Sequence, residues 1–258
     1  MDDIVKGLHQ AFFSELVGTG LLVAVGLSVV IVLFGTNSAL IASLPDPGAR
    51  RMIAGFLFGT TGALIAISRV GKISGAHINP VVTLTFWIIG KMDGVHAIIY
   101  VIAQCVGAVL GAIPLFMWGE TGKSIAYGAT LPGPHYGVWI ALIGEIVTTF
   151  ALIIGLLLFI GHKRLSFWTP LLFPFLYAIM VYVEAPISGT STNPARSLGP
   201  AVISDRWSGW WIYLIGPITG AYIATIVQRR SFLKQLEIHV AKIYHFGHDP
   251  HGIFHTKP

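Results

Sequence analysis

Two apolar stretches, 79–89 and 193–203, are each about half of the roughly 20 residues that a helix needs to cross a bilayer, and each opens on an Asn-Pro pair. Proline is accepted at the first position of a helix, where its missing N–H costs nothing. Asn79 and Asn193 therefore fall at N-caps, with Pro80 and Pro194 as first helical residues. In an apolar chain this sets a polar side chain and an open helix end at membrane depth, which is tolerated only where the backbone is buried or lines an aqueous cavity. The pattern points to a channel or a transporter.

The setting is a membrane. Hydrophobic residues make up 54% of the 258 and charged ones only 10%, against roughly a quarter charged in soluble domains. A window of about 19 residues finds six candidate spans, near 11–34, 50–70, 95–118, 137–160, 168–186 and 208–228. The start, Met1–Lys6, has no basic n-region or small-residue cleavage site and reads as the approach to the first helix. With both termini on one face, the opposite face carries Arg50, Arg51, Lys123, Arg196 and Arg206, and the other eleven of the 16 Lys and Arg residues lie with the termini. The positive-inside rule then puts both termini in the cytoplasm. A net charge of +5 is ordinary beside anionic lipid and implies no nucleic-acid partner. Cys105 is the sole cysteine, so no intramolecular disulfide forms.

An internal duplication organises the chain. Ser14-Glu15-Leu16-Val17-Gly18-Thr19 in the first span pairs with Gly144-Glu145-Ile146-Val147-Thr148-Thr149 in the fourth, and Asn79-Pro80-Val81 pairs with Asn193-Pro194-Ala195. Three spans and one half-helix per repeat make the second repeat enter from the opposite face, as an inverted repeat. The fold class is an all-α membrane protein with six transmembrane helices and two re-entrant half-helices. Residues 1–228 form a single channel domain, with repeat one about 10–118 and repeat two about 137–228; residues 229–258 form a cytoplasmic His-rich tail. Glu15 and Glu145 read as structural carboxylates that accept backbone N–H groups from the non-helical stretches before the half-helices. The rival reading is a proton-coupling carboxylate in a secondary transporter.

At these residues the chain resembles the major intrinsic protein family, the aquaporin and aquaglyceroporin superfamily. The resemblance covers about residues 10–228 and rests on the glutamate pair, the two boxes Asn79-Pro80-Val81 and Asn193-Pro194-Ala195, and Arg196 after the second. Val81 replaces the alanine usual in the first box and adds bulk where the half-helices abut. The resemblance implies a right-handed bundle, one pore per protomer and a homotetramer; the expected location is the plasma membrane. It implies passage of water and small neutral solutes such as glycerol, urea, ammonia or hydrogen peroxide, with protons and ions excluded. No constellation for nucleophilic, metal or phosphoryl chemistry is present in the sequence, so no enzyme activity, cofactor or metal is expected. Physically, the two asparagines offer donors to a passing water, and two helix N-termini add positive potential. The alternatives are an ion-coupled transporter using Glu15 or Glu145 and a non-conducting structural protein.

By the family's spacing, the selectivity filter consists of Gly59, Val181, Thr190 and Arg196, with Phe58 as the alternative to Gly59. Taken with Gly59, this filter is wider and less polar than that of a strict water channel. Ser197 follows Arg196 where glycerol facilitators carry Asp. His77 is a possible inner-pore element or a hydrogen-bonded structural histidine. Gly107 and Gly111 have the spacing of close helix packing. Trp207, Trp210, Trp211 and Tyr213 read as an interfacial aromatic belt. In the tail, Phe232, Leu233, Leu236, Val240 and Ile243 are spaced for one face of a surface helix over 231–243, and disorder is expected beyond it. The five tail histidines, His239, His245, His248, His251 and His255, lack a metal-binding pattern.

Overall fold

The computed structural model describes residues 2–230 and 232–254; His255 and Lys257 of the tail lie outside the described residues, as do the side chains of Phe232 and Lys234. Every regular element among the described residues is helical. The first half comprises α1 (Asp2–Phe34), the short α2 (Ala39–Ser43), α3 (Pro47–Ile67), α4 (Arg69–Ser74), the half-length α5 (Pro80–Ile88) and α6 (Gly94–Ala112). A 3-10 stretch, Ile113–Trp118, leads into α7 (Gly119–Lys123). The second half comprises α8 (Val138–Gly161), α9 (Thr169–Glu184), the half-length α10 (Pro194–Ser204) and α11 (Ile212–Arg230).

Side-chain caps set the boundaries. Asp46 accepts from Gly48 N and Ala49 N to start α3, and Asp93 accepts from His96 N to start α6. Five segments are long and apolar enough to cross a membrane by length and composition: Asp3–Phe34, Pro47–Ile67, Gly94–Lys123, Val138–Gly161 and Ser166–Glu184. The sixth span, α11, is diluted by Thr219, Thr225, Gln228 and the terminal Arg229 and Arg230. It packs along α8 as α6 packs along α1.

The packing follows the duplication. α1 against α3 is matched by α8 against α9, and α6 against α10 by α11 against α5, while α3 and α9 pack on each other across the pseudo-two-fold axis. Glycine permits the close approaches. A Cβ on Gly107 would lie 2.2 Å from the carbonyl oxygen of Leu16, and one on Gly220 would lie 2.4 Å from that of Ile146. Leu16 and Ile146 are the residues after the two repeat glutamates, so one helix contact is built twice.

Two expectations need correction. Tyr213 is fully buried and donates its hydroxyl to Ser188 O at 2.7 Å, so it belongs to the interior and not to an aromatic belt; Trp207 and Trp211 remain exposed. Among the described residues beyond α11, helix is limited to a 3-10 turn, Phe232–Gln235. Beyond it the chain folds in an irregular path against the face where α1 begins, burying Ile238, Val240, Ala241 and Ile243. Its backbone finds partners on the bundle, with Ile243 N donating to Gly75 O at 3.0 Å, so a surface helix is not needed to satisfy it.

Candidate functional site

The site is built on the two non-helical stretches that precede α5 and α10. Gly75, Ala76 and Ile78 have positive φ, and so do Gly189, Thr190 and Thr192 at the same offsets from their asparagines. Left-handed backbone at a non-glycine residue costs roughly 1–2 kcal/mol, so surrounding contacts must hold it. The repeat glutamates supply them. Glu15 accepts from Ser74 Oγ (2.6 Å), His77 N (2.9 Å), Ile78 N (2.7 Å) and Gln104 Nε2 (2.7 Å). Glu145 accepts from Ser188 Oγ (2.5 Å), Ser191 N (2.7 Å) and Thr192 N (2.9 Å). Tyr100 OH donates to Ser74 O at 2.9 Å, the counterpart of Tyr213 OH on Ser188 O.

The held stretches bring the asparagines together. Asn79 Oδ1 accepts from Val81 N, and Asn193 Oδ1 accepts from Ala195 N and Arg196 N, which caps α5 and α10. Asn79 Nδ2 donates to Thr192 O and Asn193 Nδ2 donates to Ile78 O, both at 2.9 Å. An amide has two hydrogens, so each asparagine keeps one for another acceptor. Pro80 and Pro194 are the first residues of their helices, and Val81 and Ala195 are fully buried in the core where the half-helices meet.

Two cavities adjoin this centre. The outer one, about 320 Å³, is lined by Phe58, Val181, Thr190, Arg196 and Arg51 among others. Arg196 is buried, donates through Nη1 to Gly128 O at 2.9 Å, and sets its guanidinium carbon 5.9 Å from the centre of the Phe58 ring. The inner one, about 40 Å³, holds only a few waters and is lined by Asn79, Asn193, His77 and Gly59 among others. Phe58 and Tyr177 border both and mark the passage between them.

Gly59 does not join Arg196. A Cβ there would lie 2.4 Å from Phe173 O, because Gly59 faces the backbone of α9, and the preceding residue, about 100° around the helix, faces the outer cavity. Of the two candidates, Phe58 is the one that lines the outer cavity with Val181, Thr190 and Arg196. His77 is buried, stacks on Phe86 at 4.8 Å, and lies 3.0 Å from Thr83 Oγ1 and 2.9 Å from Ala241 O through its two ring nitrogens.

Several residues at the site carry no motif. Glu184 accepts from Thr190 Oγ1 at 2.5 Å and fixes that side chain at the edge of the outer cavity. Tyr177 OH lies 2.8 Å from Thr192 Oγ1, and Arg51 reaches the outer cavity while donating to Tyr182 O at 3.2 Å. Only Arg51 leaves a sequence trace, as a cation against the prevailing charge bias at the start of a span. No group of His, Cys, Asp or Glu able to hold a metal occurs among the described residues.

The family model described as Major intrinsic protein matches residues 5–228. A probable aquaporin PIP2-7 of Oryza sativa subsp. japonica is 32% identical over 227 residues, covering 84% of this chain and 77% of the relative. Aquaporin AqpM of Methanothermobacter marburgensis is 31% identical over 202 residues, covering 75% and 80%. In fold, the chain is similar to the aquaglyceroporin from Plasmodium falciparum, with a TM-score of 0.72 at 19% identity over 89% of this chain and 98% of that one. The chain belongs to the major intrinsic protein family. It is an integral, multi-pass membrane protein of a family of passive channels for water or small solutes, and it is not an enzyme.

Proposed function

We propose that the protein conducts water in single file past Asn79 and Asn193, and that the outer filter of Phe58, Val181, Thr190 and Arg196 also admits small neutral solutes. The observation that carries this is the pair of asparagine amides, each fixed by one hydrogen bond and left with one donor at the midplane. A water accepting from both turns its own hydrogens outward along the pore, which breaks a proton wire. Two half-helix N-termini, each equivalent to about half an elementary charge, together with Arg196 and Arg51, oppose cations.

Glu15 and Glu145 act as scaffold. Their oxygens are occupied by buried donors from the re-entrant backbone, which supports a structural role over proton coupling. We assign residues 1–228 to one channel domain and 229–258 to a tail, with both termini in the cytoplasm by the charge bias and the plasma membrane as the location. A homotetramer would cover part of the exposed apolar surface, which includes Ile98 and Ile102 on α6 and Ile179 and Val183 on α9. Stopped-flow light scattering of proteoliposomes under sucrose, glycerol and urea gradients tests the permeants. Reswelling in glycerol or urea faster than empty vesicles is expected, and its absence alongside fast water flux would restrict the pore to water.

A further inference from the structure

The tail buries a lysine at the mouth of the pore. Lys242 is fully enclosed, its amine donating to Lys72 O (2.8 Å) and His248 O (2.6 Å) and lying 4.2 Å from the centre of the Phe254 ring. The next residue, Ile243, lines the same inner cavity as Asn79 and Asn193. We infer that residues 238–254 form a plug that, while docked, closes the pore at the face shared by both chain ends, so that the intact chain conducts in proportion to its withdrawn fraction. This rests on the channel reading above.

Three relationships carry the inference. Ile243 N donates to Gly75 O and Ala241 O lies 2.9 Å from His77 Nε2, so the tail is joined to the re-entrant backbone itself and not only to the rim. A carbonyl only accepts, which makes Nε2 the donor and leaves Nδ1 of a neutral ring to accept from Thr83 Oγ1. The tail also reaches three helices around the mouth: His245 reaches Ile67 O, His251 reaches Gln10 Oε1, and Leu236 packs on Gly161, which are contacts to α3, α1 and α8. The inner cavity is about 40 Å³ against about 320 Å³ outside, the asymmetry expected when one mouth is filled. Withdrawal returns the Lys242 amine to water, where a charged group is better solvated than in a closed mouth, and the connecting Gln235 and Glu237 are already exposed.

The test compares osmotic water permeability of proteoliposomes holding equal amounts of the full chain, the Lys242→Glu/Ile243→Asp variant, and a chain with a specific protease site introduced at 235–237 and cut after reconstitution. The double variant turns a carboxylate toward the carbonyls that now receive an amine; the cut chain has already folded with its tail. Cleavage by a general protease within 238–254 reports that the tail is free. A several-fold rise in permeability on freeing the tail by either route is the expected result. A freed channel that conducts no faster than the intact chain, both above empty vesicles, overturns the plug. Freed and intact chains both at the level of empty vesicles would instead overturn the channel reading.

Discussion

Asn79 and Asn193 each donate a hydrogen bond to the backbone carbonyl preceding the other, at 2.9 Å in both directions. This reciprocal pair locks the two half-helices together and fixes both amide planes. Asn193→Asp keeps the cap, since aspartate accepts from Ala195 N and Arg196 N as well as asparagine does. It removes the donor and adds a negative charge. Water permeability is expected to fall and cation leak to appear, read by a potential-sensitive dye in proteoliposomes under a potassium gradient.

The glutamates carry the strained backbone. Truncating Glu145 to alanine leaves Ser191 N and Thr192 N buried without their acceptor, at about 1–3 kcal/mol each. A loss on the order of 3 kcal/mol is expected, measured as earlier thermal unfolding in detergent, and Glu15→Ala should show a similar loss through His77 N and Ile78 N.

Phe58 and Gly59 separate a filter role from a packing role. Phe58→Ala opens the cavity beside Arg196 and is expected to raise glycerol permeability relative to water. Gly59→Ala drives a methyl toward Phe173 O and costs about 1–3 kcal/mol of stability, with the glycerol-to-water ratio of the folded fraction unchanged. Solute flux and unfolding temperature measured on both variants check the pair.

The residues that could be read from sequence are those repeated in it. Two glutamates and two Asn-Pro pairs at matched spacing give the inverted repeat, because an odd number of spans per half leaves no other topology. The lining of the outer cavity was legible to within one residue: spacing along a helix carries no information about which side faces the cavity when neighbours are Phe58 and Gly59. Glu184 and Tyr177 leave no local pattern, since their partners Thr190 and Thr192 are set by the fold. The tail's apolar spacing predicts a surface helix, but Val240 and Ile243 are instead buried against the bundle in irregular chain, because periodicity does not say whether apolar residues meet lipid or protein.

Docking of the tail also predicts a pH dependence. Burial pushes the Lys242 amine down from 10.5 to about 8, with the charge of Asp249 pulling it up and that of Lys72 pushing it down further; His77, His245 and His248 are also nearby. A released Lys242 stays charged up to its usual value, so between about 8 and 10.5 rising pH favours the docked tail, by up to about tenfold per unit. His248 is lowered from 6.5, first by burial and then by Lys72 and Lys242, so acidification through the usual histidine range favours release. Water permeability should therefore rise in acid, stay level between these windows and fall above about 8. Lys242→Met should remove the alkaline limb, measured with the buffer varied on the tail face.

The most direct test of the account is the osmotic shrinkage rate of proteoliposomes under a sucrose gradient, with the tail cut after reconstitution and with empty vesicles alongside. Shrinkage much faster than in empty vesicles, with a weak temperature dependence and no accompanying proton leak, is the predicted result. A cut channel that shrinks no faster than empty vesicles, or that carries protons along with water, would contradict it.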